Sequence, residues 1–171
     1  ETFLKDVDRL GTTLQEFMRY NSTQAKMYGV MYVLVDNVSE IGETVADQVN
    51  NRQLPYLVAI EPKSVYKWLT NDIGELEFFA YTSTIFDDEG QSKTQCHEWT
   101  RTSWTLKNEE EKVIATGEHN LGRVPVVQWF GRSSRKIDIL PPPEYLAIAR
   151  TNHQVYHLCS LLTQILNMQT F

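Results

Sequence analysis

The stretch from residue 75 to residue 117 reads ELEFFAYTSTIFDDEGQSKTQCHEWTRTSWTLKNEEEKVIATG, and its reading decides the fold class. Thr, Trp, Tyr, Phe and Ile crowd three segments, residues 75–86, 93–106 and 112–117. These residue types fit a pleated, half-buried surface. Two charged, turn-like breaks separate them, residues 87–92 and 107–111. Strand-like runs joined by short polar breaks predict a three-stranded antiparallel meander. Its alternation is imperfect. Phe78 and Phe79 adjoin, and along one continuous strand Trp99 and Trp104 fall on opposite faces. The pattern therefore predicts cover on both sides of the sheet.

Outward from the meander, Val30-Met31-Tyr32-Val33-Leu34-Val35 and Tyr56-Leu57-Val58-Ala59-Ile60 are continuous apolar runs. Both read as buried strands, and residues 124–130 as a further one. Near the N-terminus, Phe3, Leu4, Val7, Leu10, Leu14, Phe17 and Met18 recur at helical spacing, which predicts one helix over residues 3–20 with Gly11 as a modest interruption. Asn21-Ser22 offers a cap for a second short helix through Ala25 and Met27, ended by Gly29. Short helical pieces are predicted at residues 44–49 and 63–69, the latter with Pro62 at its first position. After Pro141-Pro142-Pro143, apolar residues from Tyr145 to Leu166 recur at helical spacing. At about 1.5 Å per residue the final helix would span at least ~40 Å.

The expected fold class is α+β: N-terminal helices packed on a mixed or antiparallel sheet with a three-stranded β-meander, and a long C-terminal helix. Residues 1–140 form the expected α+β domain and 141–171 the start of the long helix. Glu1 is not an initiator Met and the helix still runs at Phe171, so the chain reads as a piece cut at both ends from a longer protein.

Hydrophobic residues make up 42% and charged residues 22%, ordinary values for a globular protein. No apolar run approaches the roughly 18 residues of a membrane span, so no membrane partner is expected. Cys96 and Cys159 are too few to make a disulfide scaffold. The net charge of −6 argues against coating phosphate as the main task. Its distribution is uneven: net −3 over residues 1–60, −6 over 61–118 and +3 over 119–171. An acidic middle and a basic end suggest complementary surfaces between subunits. The acidic turns at residues 87–89 and 109–111 would then approach Arg132, Arg135 and Lys136 of a neighbour.

The sharpest enzymatic pattern is Asp36 closing one apolar strand and Glu61-Pro62-Lys63 closing another. Two carboxylates holding Mg²⁺, with a Lys beside the attacked phosphate, would make a metal-dependent nuclease. Pro62 opposes this, since it bends the strand from which Lys63 must project. His153 and His157 share one helix face at i, i+4 spacing and could bind zinc with Cys96, His97 or His119. No CxxC or HExxH accompanies them. Arg132-Ser133-Ser134-Arg135-Lys136 is a short basic loop that could touch phosphate. No phosphate-cradling Gly-rich loop and no GxSxG are present. The expectation is a non-enzymatic chain with no catalytic residue, no cofactor and no metal.

Several short patterns, in order, resemble the portal (connector) proteins of tailed phages and prophages. Phe3-Leu4-Lys5-Asp6-Val7-Asp8 with Gly11 is similar to the helix before the portal wing. Tyr28-Gly29 leading into Val33-Leu34-Val35-Asp36 resembles the family's Gly, apolar strand, Val-Asp step. The run from Tyr56 through Ile60-Glu61-Pro62 to Val65-Tyr66-Lys67-Trp68 resembles the turn before its β-meander. His119-Asn120-Leu121-Gly122-Arg123-Val124-Pro125-Val126-Val127 looks like its His-x-Leu-Gly-x-Val/Ile-Pro-Val-Val segment. Pro142, Leu146, Asn152, Tyr156 and Ser160 resemble the start of its long helix.

The resemblance implies a homo-oligomeric ring, dodecameric in virions, that forms a DNA channel at one capsid vertex. Its implied partners are the terminase packaging motor, capsid and neck or tail proteins, and the double-stranded DNA in the channel. Assembly would occur in the bacterial host cytoplasm, and the ring would reside in the virion. This chain would be the wing and the beginning of the stem, so no DNA-contacting or motor-docking residue is carried over. The alternatives are the nuclease of Asp36, Glu61 and Lys63, and another oligomeric virion scaffold module.

Overall fold

The computed structural model describes residues 2–37, 54–87, 90–132 and 139–169. The expected helix at 44–49 lies outside them. The described elements are α1 (Thr2–Lys5), α2 (Leu14–Tyr28), β1 (Val30–Asp36), β2 (Tyr56–Ile60), a 3₁₀ turn (Pro62–Ser64), β3 (Val65–Thr70), β4 (Leu76–Phe86), β5 (Ser92–Thr100), β6 (Ser103–Lys107), β7 (Val113–Glu118), β8 (Val126–Phe130) and α3 (Leu146–Gln169). The class is α+β. One sheet has three strands in the order β2-β1-β8; the other has five in sequence order, β3-β4-β5-β6-β7. All pairings are antiparallel.

β1 explains its own continuous apolar run. Val30, Tyr32 and Leu34 enter a core with Ile60, Phe79, Tyr81, Trp99, Val124, Val126 and Ile139, which joins the two sheets. Val33, on the opposite face, packs with Val7 and Phe17 under α2. A strand covered on both faces loses the alternation that a half-exposed strand shows. Tyr32 and Phe79 bridge the sheets with ring centroids 5.0 Å apart. The Tyr32 hydroxyl donates to the Ile139 carbonyl, which ties the chain beyond β8 to the same core.

Four expectations need correction. The N-terminal helix is not continuous over 3–20: α1 ends at Lys5, and α2 starts after a Thr13 cap and runs through Asn21 to Tyr28. Asp8 Oδ1 accepts from the amides of Leu10 and Thr12, a local turn that competes with helix. Asn21 does not cap a second helix; it is fully buried inside α2, with Nδ2 donating to the Phe17 carbonyl. Residues 63–69 are not helical beyond the 3₁₀ turn: Val65, Trp68 and Leu69 belong to strand β3, which the edge of β4 recruits.

The meander, fourth, has five strands rather than three, because β3 joins it and residues 93–106 turn at Arg101-Thr102. That turn places Trp99 directly opposite Trp104, so the two share a face with ring centroids 6.3 Å apart. The adjoining phenylalanines resolve similarly. Phe79 is buried between the sheets, while Phe78 points outward beneath the Lys67 ammonium, 5.2 Å from the ring centroid.

Candidate functional site

Antiparallel pairing takes the nuclease constellation apart. Asp36 lies opposite Tyr56 and Tyr32 opposite Ile60, so Asp36 and Glu61 stand at opposite ends of the β1–β2 ladder. Five residues at about 3.4 Å each put roughly 17 Å between them. Carboxylates that share one Mg²⁺ at about 2.1 Å must lie within roughly 4 Å of each other. Asp36 instead accepts from the Tyr56 hydroxyl at 2.9 Å. Burial, aided by that carboxylate, pushes the Tyr56 phenol up to about 12. Glu61 precedes the 3₁₀ turn and lies 2.6 Å from the Lys63 ammonium, an ion pair between a half-buried carboxylate and an exposed lysine.

The zinc candidates are also dispersed. His153 and His157 do meet on α3, ring centroids 4.4 Å apart. His97 is on β5, stacked on Tyr81 at 4.7 Å. Cys96 precedes it in the same strand and so projects from the opposite face. His119 follows β7, with Nε2 3.1 Å from the Thr100 carbonyl oxygen. Among the described residues no group of three or more His, Cys, Asp or Glu could hold a metal ion. Both cysteines are free.

Of the charged surfaces, residues 133–136 and 88–89 lie outside the described residues, and Arg132 is exposed. Two of the described acidic groups, Asp87 and Glu109, have partners in their own chain. Asp87 lies 3.1 Å from the Lys93 ammonium, and Glu109 accepts from the Thr94 amide at 2.7 Å. That amide holds the Glu109 carboxyl below the usual range.

Two features escaped the sequence. The first is a Ser–His contact: Ser83 Oγ lies 2.8 Å from His97 Nε2, brought there by the β4–β5 register. Burial holds the imidazole below its ordinary pKa, with the nearby Asp36 charge opposing more weakly. No Asp36–His97 hydrogen bond completes a triad, because Asp36 is turned to Tyr56. Sequence spacing alone cannot find the contact without the hairpin register.

The second is a cleft of about 410 Å³ at the N-terminal end of β8. It is lined by the turn residues Gly74, Glu75, Arg101 and Gly122, by Arg123, and by Val126, Gln128 and Phe130. Gln128 Nε2 is buried there without a hydrogen-bond partner. In α3, from Ala147 to Gln169, every residue is exposed, including Ile148, Val155, Leu158, Leu162 and Ile165. No described helix is long and apolar enough to cross a membrane. No family model matches the chain, and no curated protein matches it.

Proposed function

We propose that this chain is a structural, non-catalytic part of a portal-type ring subunit. The observation that carries the reading is α3, a helix of 24 residues, about 36 Å long, that stands clear of the α+β body with its apolar side chains in water. Such a surface is completed by neighbours in an assembly. The ordered motifs from Phe3 to Ser160 supply the family side of the argument. The α+β body would be the outward wing, and α3 the beginning of the stem. The ring would carry double-stranded DNA at one capsid vertex, dock the terminase motor, and later join neck and tail proteins. It would assemble in the bacterial cytoplasm and remain in the virion.

The test is electron microscopy of the complete subunit. Closed rings with an axial channel, about twelve-fold by the family resemblance, are the expected result. Closed oligomers without a channel would replace this reading with a scaffold module. A monomer at micromolar concentration would remove both.

A further inference from the structure

Among the described residues β8 is an edge strand, and it is an undefended one. Edge strands are normally blunted by charges, proline, bulges or covering segments. At the other edge of its sheet, the Leu57 amide of β2 donates to the Val7 carbonyl at 2.7 Å, so the N-terminal segment covers that strand. In the five-stranded sheet, β3 carries register shifts and Lys67, and β7 carries a register shift and Glu118. β8 reads Val126-Val127-Gln128-Trp129-Phe130, with no charge, and its pairing with β1 is regular.

Its free main-chain groups can be assigned. The Gly131 amide donates to Gly29 and the Val35 amide to Pro125, so residues 125 and 131 are hydrogen-bonded positions of the β1–β8 ladder. By alternation 127 and 129 also face β1, while the amides and carbonyls of Val126, Gln128 and Phe130 face away. Among the described residues no strand pairs with that side.

The cleft lies along this edge and carries donors without acceptors. Arg101 is engaged, 3.3 Å from Glu77 and 4.0 Å from Glu75. Arg123 is exposed and has no ion-pair partner among the described residues. Gln128 Nε2 is the buried orphan donor. Leu76, Val124, Val126 and Phe130 add apolar walls. The turns at Gly74-Glu75, Arg101 and Gly122 line the same cleft as Arg123, whose unpaired guanidinium complements a chain-terminal carboxylate.

We infer that β8 and this cleft bind the C-terminal tail of a partner polypeptide. The tail adds as a strand antiparallel to β8, which brings its terminal carboxylate to Arg123. Main-chain bonds to Val126, Gln128 and Phe130 give affinity, and the carboxylate gives direction. The site does not depend on the ring reading.

The test uses synthetic peptides titrated against the chain by calorimetry, with amide shifts followed by NMR. The probes are acetyl-Thr-Val-Thr-Val-Val with a free carboxyl terminus, the same peptide amidated, and N-acetylvaline. The free acid should bind about tenfold more tightly than either control, with shifts centred on Val126, Gln128 and Phe130. Arg123→Ala should reduce the free acid to the level of the amide. Gln128→Leu should weaken binding while leaving the melting temperature unchanged or higher, since it removes a buried unpaired amide. A merely structural Gln128 would lower it. Equal binding of acid and amide would overturn the chain-end assignment. Equal binding of N-acetylvaline would overturn strand addition, and no binding at millimolar peptide would overturn the site.

Discussion

Gly29 shows how much one residue can hold. It has φ +96, a left-handed value that side chains rarely adopt, and a Cβ there would sit 2.0 Å from the Pro141 carbonyl oxygen. It ends α2, its amide donating to Ala25 at 2.7 Å, and its carbonyl accepts from Gly131. Gly29→Ala should therefore destabilise by about 1–3 kcal/mol from backbone strain alone, with the clash in addition. Urea denaturation measures it, and a loss under 0.5 kcal/mol, roughly the Gly-to-Ala gain at an unstrained site, would contradict it. Helix termination by Gly29 was legible, but the partner that crowds it lies 112 residues away and was not. His97 carries the second prediction at this scale. Its folded pKa is depressed by burial, whereas in the unfolded chain it protonates near 6.5. Between those values the unfolded state binds more protons, so stability is full above about 6.5 and is lost as pH falls toward the folded value. Melting temperatures from pH 7.5 to 5.5 should fall more steeply in the parent than in His97→Gln. Parallel curves would rule out the assignment.

At the scale of elements, the misread N-terminus held its answer in plain view. Thr13-Leu14-Gln15-Glu16 is a capping box: Thr13 Oγ1 accepts from the Glu16 amide at 3.3 Å, and Glu16 Oε2 accepts from the Thr13 amide at 3.0 Å. Apolar spacing from Phe3 onward runs through that boundary, because Val7 and Phe17 do share a core although a turn separates them. Periodicity records burial, and burial is not continuity of helix. Thr13→Ala should cost about 1 kcal/mol, read from denaturation midpoints. No loss at all would mean the cap is redundant with the packing of Phe17. The meander failed in the same way. Arg101-Thr102 carries no Gly or Pro, so a two-residue turn was invisible, and with it the Trp99–Trp104 pairing. Side-chain hydrogen bonds do the work there: Thr100 Oγ1 accepts from the Ser103 amide at 2.9 Å. The strand β3 was hidden by Pro62, a true helix-start signal spent on a single 3₁₀ turn. The dispersal of Asp36 and Glu61 follows from register, which sequence does not state for strands joined by a long connection.

For the whole molecule, the α+β class and the projecting helix were legible because long periodic segments and dense β-formers dominate the chain. What covers α3 was not, since no self-contained domain can bury it. The chain exposes 12352 Å², against about 8,600 Å² for a compact monomer of its mass. Part of that excess is α3. At 100° per residue, Ile148, Val155, Leu158, Leu162, Ile165 and Leu166 form one row, with Tyr156 on one flank and Leu161 and Met168 on the other. His153, His157, Ser160, Gln164 and Asn167 fill the remaining side. The exposed apolar residues spread over about two thirds of the circumference, with Thr151, Asn152, Gln154 and Thr163 among them, where one partner needs a stripe of about 100°. Two neighbours are therefore required, which suits a bundle or ring rather than a simple pair. Sedimentation should show species larger than a dimer. The double substitution Leu158→Lys with Ile165→Lys should give monomer while leaving the melting of the sheets unchanged, because no residue of α3 is buried in the body. A parent chain that stays monomeric at 100 μM, roughly a −5.5 kcal/mol threshold for association, would sink this account. So would a double variant that unfolds the sheets, since α3 would then belong to the core it stands away from.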